Sequence, residues 1–270
     1  MSSDKQVMNR LLLNKEIAYA GNIGIKRREF CIDFIEKKQG VIKEIQESQS
    51  EAVKANGQQI TCHKGCAHCC HFYMHANIQE CEAIVYYLYN NESVFETYIK
   101  NYIDWRQKLS QNGDIFKNCA RLWYEKRVAG AGQKEEDAFG AESNRYRDQG
   151  LPCPFLIDGV CSIYEVRPYM CAGTVSSSPS EWCAKGSFNT PTIYKTQTPA
   201  VFDRSFYYKN LDDYILTFFP ITVYHLLESG YKMLEKITGL NGLEETALKD
   251  PAVKCIIQKH SDLPENLTKI

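Results

Sequence analysis

Cys62, Cys66, Cys69 and Cys70 fall within nine residues of TCHKGCAHCC, and Cys153, Cys161, Cys171 and Cys183 follow at wider spacing in a second segment. Thiolate is the soft ligand that selects zinc, copper(I) or iron–sulfur clusters. Short spacing lets several sulfurs converge on one ion at little loop-closure cost. Thiolates brought together without a cation would repel one another and lose hydration, so metal binding should be coupled to the folding of both segments. Eight sulfurs could satisfy two four-coordinate metals, or one cluster with cysteines left over. A bridged or dinuclear arrangement stays open, because the neighbours Cys69 and Cys70 point in different directions on most backbones.

Four histidines, His63, His68, His71 and His75, lie among or just after the first group. Imidazole is a common metal ligand. For each, the plainer reading is a loop histidine that is exposed or hydrogen-bonded. Cys31, Cys81, Cys119 and Cys255 stand alone within helical patterns and read as small buried hydrophobes. A disulfide between Cys69 and Cys70 is disfavoured by geometry and by a reducing compartment.

These residues resemble the zinc- or iron-chelating cysteine-cluster family named for the motif CxxCxxCC, over roughly residues 60–185. The first block, CHKGCAHCC, has one extra residue between its first two cysteines, and CPFLIDGVCSIYEVRPYMC supplies the second. The resemblance implies metal-binding roles for Cys62, Cys66, Cys69, Cys70, Cys153, Cys161 and Cys171, with Cys183 as the eighth. Arg167 and Pro168 match the family's RP pair, and Glu80 or Glu82 occupies the place of its glutamate. The family includes flagellin lysine methylases, so such a cluster can accompany enzyme chemistry.

Two functions compete on this pattern. In the first, an enzyme holds an iron or iron–sulfur centre on the cysteines, while Glu80 or Glu82, Arg167 and nearby tyrosines handle a small-molecule or protein substrate by methyl transfer or redox chemistry. In the second, zinc staples two irregular segments to a helical core, and the protein stores metal or binds a partner. Iron or an iron–sulfur cluster is the expected cofactor, with zinc as the alternative. The spacing Cys62-x3-Cys66-x2-Cys69 also suits radical S-adenosylmethionine enzymes, but the motif lies between helical patterns, without the alternating strands that a barrel requires.

The elements that must position these cysteines read as mainly α, a helical single domain over 1–270 with an irregular cysteine-rich region and a small β-hairpin. Helical periodicity marks flanks at 1–59 and 206–260, and further helices between the two cysteine segments. Residues 129–150, small and charged, predict a flexible loop. Asp158-Gly159 between two apolar runs predicts a tight two-residue hairpin that presents Cys153 and Cys161. A net charge of −1 offers no field for a phosphate backbone, so nucleic acid is not an expected partner. The apolar window Tyr214 to Leu227 is shorter than the roughly 20 residues a bilayer span needs, so no membrane partner is expected. MSSDKQVMNRLLLNKEI lacks a signal-peptide core, which predicts a cytoplasmic protein whose 12 cysteines are thiols.

Overall fold

The computed structural model describes residues 3–128, 132–195, 217–238 and 240–260. Its helices are α1 (Ser3–Ala18), α2 (Gly21–Ala55), α3 (Ile78–Tyr89), α4 (Glu92–Ser110), α5 (Gly113–Val128), α6 (Gln133–Asp148), α7 (Tyr169–Ala172), α8 (Phe219–Thr238), α9 (Leu243–Lys249) and α10 (Pro251–Lys259). Short strands accompany them: β1 (His75–Ala76), β2 (Leu156–Ile157), β3 (Val160–Cys161), β4 (Thr174–Ser176), β5 (Ile193–Lys195) and β6 (Thr217–Phe218). The fold is mainly α. No helix among the described residues is long and apolar enough to cross a membrane.

The chain divides into two compact units. The first comprises residues 1–39, 77–96 and 200–270, and the second residues 40–76 and 97–199. In the first, α1, α3 and α9 pack against α8, whose Val223, Leu226, Leu227 and Leu234 are fully buried. Asn14 donates to the carbonyls of Leu227 and Glu228, and Arg10 pairs with Glu228 at 2.7 Å, so α1 is keyed to α8 by polar contacts as well as apolar ones. Residues 206–216 of the expected C-terminal flank lie outside the described residues.

Two charged pairs sit inside this unit. Arg27 donates from Nε and Nη2 to the two carboxylate oxygens of Glu82, at 2.6 and 2.8 Å, and neither side chain is exposed at all. Lys38, three helical turns further along α2, reaches Glu80 at 3.2 Å. The Arg27 guanidinium also lies 5.4 Å from the ring centroids of Tyr19 and Tyr231. Removal of such charges from water costs several kcal/mol each, and the bidentate geometry offsets that cost. Glu80 further closes a capping box at the start of α3: its carboxylate accepts from the Asn77 backbone, while the Asn77 side chain accepts from the Glu80 backbone.

In the second unit, α4 supplies a buried aromatic face of Tyr98, Tyr102 and Trp105. Phe155 stacks on Tyr98 with 4.2 Å between centroids and an interplanar angle of 6°. Asn101 of α4 donates to the Pro154 carbonyl. The chain between Cys153 and the hairpin is thereby pinned to a rigid helix. The hairpin follows the expected register, Leu156 opposite Cys161 and Ile157 opposite Val160. Its turn residues Asp158 and Gly159 both take positive φ, 49° and 76°, the condition for a two-residue turn that matches strand twist.

Residues 129–150, expected as a loop, instead contain α6. Gln, Lys, Glu, Ala and Arg are strong helix formers, and Glu135 and Glu136 in the first turn with Arg145 and Arg147 in the last oppose the helix dipole. One face carries Phe139, Glu142 and Tyr146, and Tyr146 is buried against Tyr73. Glu142 accepts from Asn118 of α5 and from Arg145, which ties the α5–α6 pair together. A single narrow buried stripe explains why composition masked the helix.

Candidate metal centre

All eight cysteines expected to bind metal lie in the second unit and are half-buried. The first segment is strapped down at its start. Thr61 donates its N–H to the Ser176 carbonyl at 2.9 Å, and its hydroxyl to the carbonyls of Ser176 and Ser178. In return, the Ser176 N–H points at the Cys62 sulfur, 3.2 Å away. The chain then turns at Gly65, whose φ of 96° is available to glycine without strain, and the Cys66 N–H closes the turn on the His63 carbonyl. A 3₁₀ turn, His68–His71, follows and carries Cys69 and Cys70.

The second segment reaches these residues from far along the sequence. Cys153 donates its N–H to the Cys70 carbonyl at 2.7 Å. Leu156 bonds back to the Cys153 carbonyl, and the hairpin then returns Cys161 beside Leu156. Pro168 precedes α7, which carries Cys171. A second 3₁₀ turn, Ser180–Cys183, packs on the turn His68–His71 and carries Cys183.

The thiols sense one another's charge. Burial pushes Cys62 up, opposed by the Ser176 N–H and reinforced by Cys66, Cys69 and Cys183. Cys70 and Cys69 share a hydrogen bond that raises Cys70 far above the ordinary thiol range and lowers Cys69 to about 7. Burial also raises Cys70, with Cys153 and Cys161 adding to it. Cys153, Cys161 and Cys183 are likewise raised, chiefly by burial. Seven of the eight sulfurs therefore occupy one electrostatic neighbourhood. Among the described residues, no three His, Cys, Asp or Glu side chains come close enough together to hold a metal ion as they stand.

Arg167 is the cation beside this group. Its guanidinium stacks 3.7 Å from the Tyr164 ring centroid, and its charge lowers Cys69 and Cys161. Lys64 lies on the same ring at 5.7 Å, and Arg147 lowers Cys183. Residues 61–192 match the CxxCxxCC family model. Its description is "Putative zinc- or iron-chelating domain". Comparison with curated proteins and with solved structures gives no match for this chain. The thiols within this stretch are soft donors that suit either metal.

Other expectations find definite places. Glu80 and Glu82 are engaged by Lys38 and Arg27 within the first unit. His75 is buried in an aromatic layer, stacked on Trp123 at 3.8 Å and edge-on to Tyr73, and its backbone N–H reaches the Met170 sulfur. His63 is exposed, and burial lowers His71. Cys31, Cys81 and Cys119 are fully buried as expected, but Cys255 is exposed. The reason is that α10 turns Val253 inward, which places Cys255, two residues on, towards solvent. Thr61, Ser176 and Arg147 went unnoticed in the sequence. The partners Thr61 and Ser176 are too far apart along the chain to form a local signal, and Arg147 lies in a helix whose charges read as surface.

Proposed function

We propose that the chain is a metal-binding protein in which Cys62, Cys66, Cys69, Cys70, Cys153, Cys161, Cys171 and Cys183 hold iron or an iron–sulfur centre, with zinc as the alternative. The observation that carries this reading is the bond from Cys153 N–H to the Cys70 carbonyl, which unites two segments otherwise separated by α3 to α6. On this reading the backbone bonds tie the two segments together, and binding draws their sulfurs onto the metal. When bound, iron would supply one-electron chemistry and zinc Lewis acidity.

The protein's own residues do the rest. The thiols of Cys62, Cys70, Cys153, Cys161 and Cys183 hold their protons at neutral pH and must release them on binding. The Tyr164 ring holds Arg167 in place, and the guanidinium offsets the negative charge that develops. A reducing, cytoplasmic setting would keep these cysteines as thiols. Elemental analysis of Cys69→Ser, Cys161→Ser and Cys255→Ser tests the assignment. The first two should lose at least half of the bound metal, and Cys255→Ser none. Equal metal content in all three would remove the basis for the reading.

A further inference from the structure

Arg10, Arg27, Arg121, Arg145 and Arg147 each have a carboxylate within 3.0 Å. Arg167 departs from this pattern. Its guanidinium stacks on the Tyr164 ring, 3.7 Å from the centroid, and its Nε is enclosed, yet among the described residues no oxygen accepts a hydrogen bond from it. Glu165, the nearest carboxylate along the chain, is exposed and makes no ion pair with it among the described residues. Lys64 brings a second cation to the same ring, 5.7 Å from the centroid, and it too has no carboxylate partner among the described residues. Lys64 stands between Cys62 and Cys66, and Tyr164 and Arg167 stand between Cys161 and Cys171, so each cysteine segment gives one cation to a single spot in the second unit. The ground beside Lys64 is open: a Cβ at Gly65 would meet nothing within 4 Å.

We infer that Lys64 and Arg167, gathered on the Tyr164 ring, form an oxyanion-binding site that takes the carboxylate or phosphate group of a small molecule. A stacked guanidinium engages the ring through its face and keeps its in-plane N–H groups for a second partner, and that fork matches the oxygens of a carboxylate or phosphate. The ring contact also fixes the plane of the fork, so little freedom is lost when an anion docks. The Lys64 ammonium adds a second charge on a flexible stem, which lets it close over a group that the fork already holds. An enclosed N–H without an acceptor is costly, and an anion that supplies the acceptor removes that cost. The site goes beyond the metal-binding reading, since it follows from the two cations and not from the sulfurs.

Nitrogen-15 NMR of the full-length chain, purified without oxygen, tests this directly. The enclosed Nε–H of Arg167 is shielded from exchange with water and should give its own resonance, assigned by its loss in Arg167→Lys. Inorganic phosphate and malonate are titrated separately at millimolar concentration. At least one of them should shift that resonance in a saturable way; phosphate alone would assign a phosphate-bearing ligand, and malonate alone a carboxylate. Lys64→Gln should weaken the binding at least about tenfold, because a charge-assisted hydrogen bond is lost. Arg106→Gln removes the same charge from an exposed position and should leave the binding unchanged. A wild-type resonance that neither anion moves would overturn the inference, however any variant folds. Equal weakening by Lys64→Gln and Arg106→Gln would also overturn it, since only net charge would then be at work. Metal content measured on the same samples keeps the two claims apart: metal without anion binding removes this inference alone, and anion binding without metal removes the metal-binding proposal alone.

Discussion

Glu82→Leu is expected to destabilise the protein by about 3–5 kcal/mol, because it leaves the Arg27 guanidinium buried without its carboxylate. Neither side chain has access to solvent, so water cannot replace the lost partner. Domains are held by only about 5–15 kcal/mol, so a loss of that size consumes a large fraction of the total. The double variant Arg27→Met with Glu82→Leu should recover most of it, since two apolar side chains of similar volume need no compensation. The exposed pair Lys37–Asp33, both about half accessible, provides the contrast: Asp33→Asn should cost less than about 1 kcal/mol. Urea denaturation of the four proteins measures all of this. Glu82→Leu no worse than Asp33→Asn would show that the buried pair is not what holds α2 to α3.

The second large effect is on metal affinity as a function of pH. Burial raises Cys62, Cys153, Cys161 and Cys183, and the bond to Cys69 together with burial raises Cys70, so all five are protonated at pH 7. Each proton that metal binding displaces strengthens affinity by about tenfold per pH unit. Cys69, lowered to about 7, contributes little to this slope above neutrality. Zinc affinity measured by chelator competition at pH 6, 7 and 8 should therefore rise at least about a hundredfold per unit, which corresponds to two or more protons. Stability of the metal-free protein runs the other way. Thiols with folded pKa values above the ordinary range of about 8.5 stabilise the fold below that pH, and the contribution is lost as pH rises through the folded values. An affinity independent of pH would mean that these sulfurs do not bind the metal.

Much of this arrangement was legible in the sequence because the informative features are local. The Asp158-Gly159 turn specifies its own hairpin. The clustering of Cys62, Cys66, Cys69 and Cys70 needs only a short chain to achieve. Features that depend on distant partners were not legible. Glu80 and Glu82 look like ligand candidates from their position after the cysteines, yet their nearest cations come from α2, and nothing in the spacing announces Lys38 and Arg27 as buried. The helix α6 was hidden because its buried stripe is one residue wide and its remaining surface is charged. Cys255 shows the reverse error: an apolar neighbourhood in sequence does not say which face of a nine-residue helix turns inward.

The most direct test of the central claim is metal analysis with a visible absorption spectrum on the full chain purified without oxygen. The account predicts stoichiometric iron, with broad visible absorption bleached by dithionite, or stoichiometric zinc in a colourless protein, in either case lost when the cysteines are alkylated after chelation. Protein that is folded and reduced, yet carries and takes up neither metal, would contradict it.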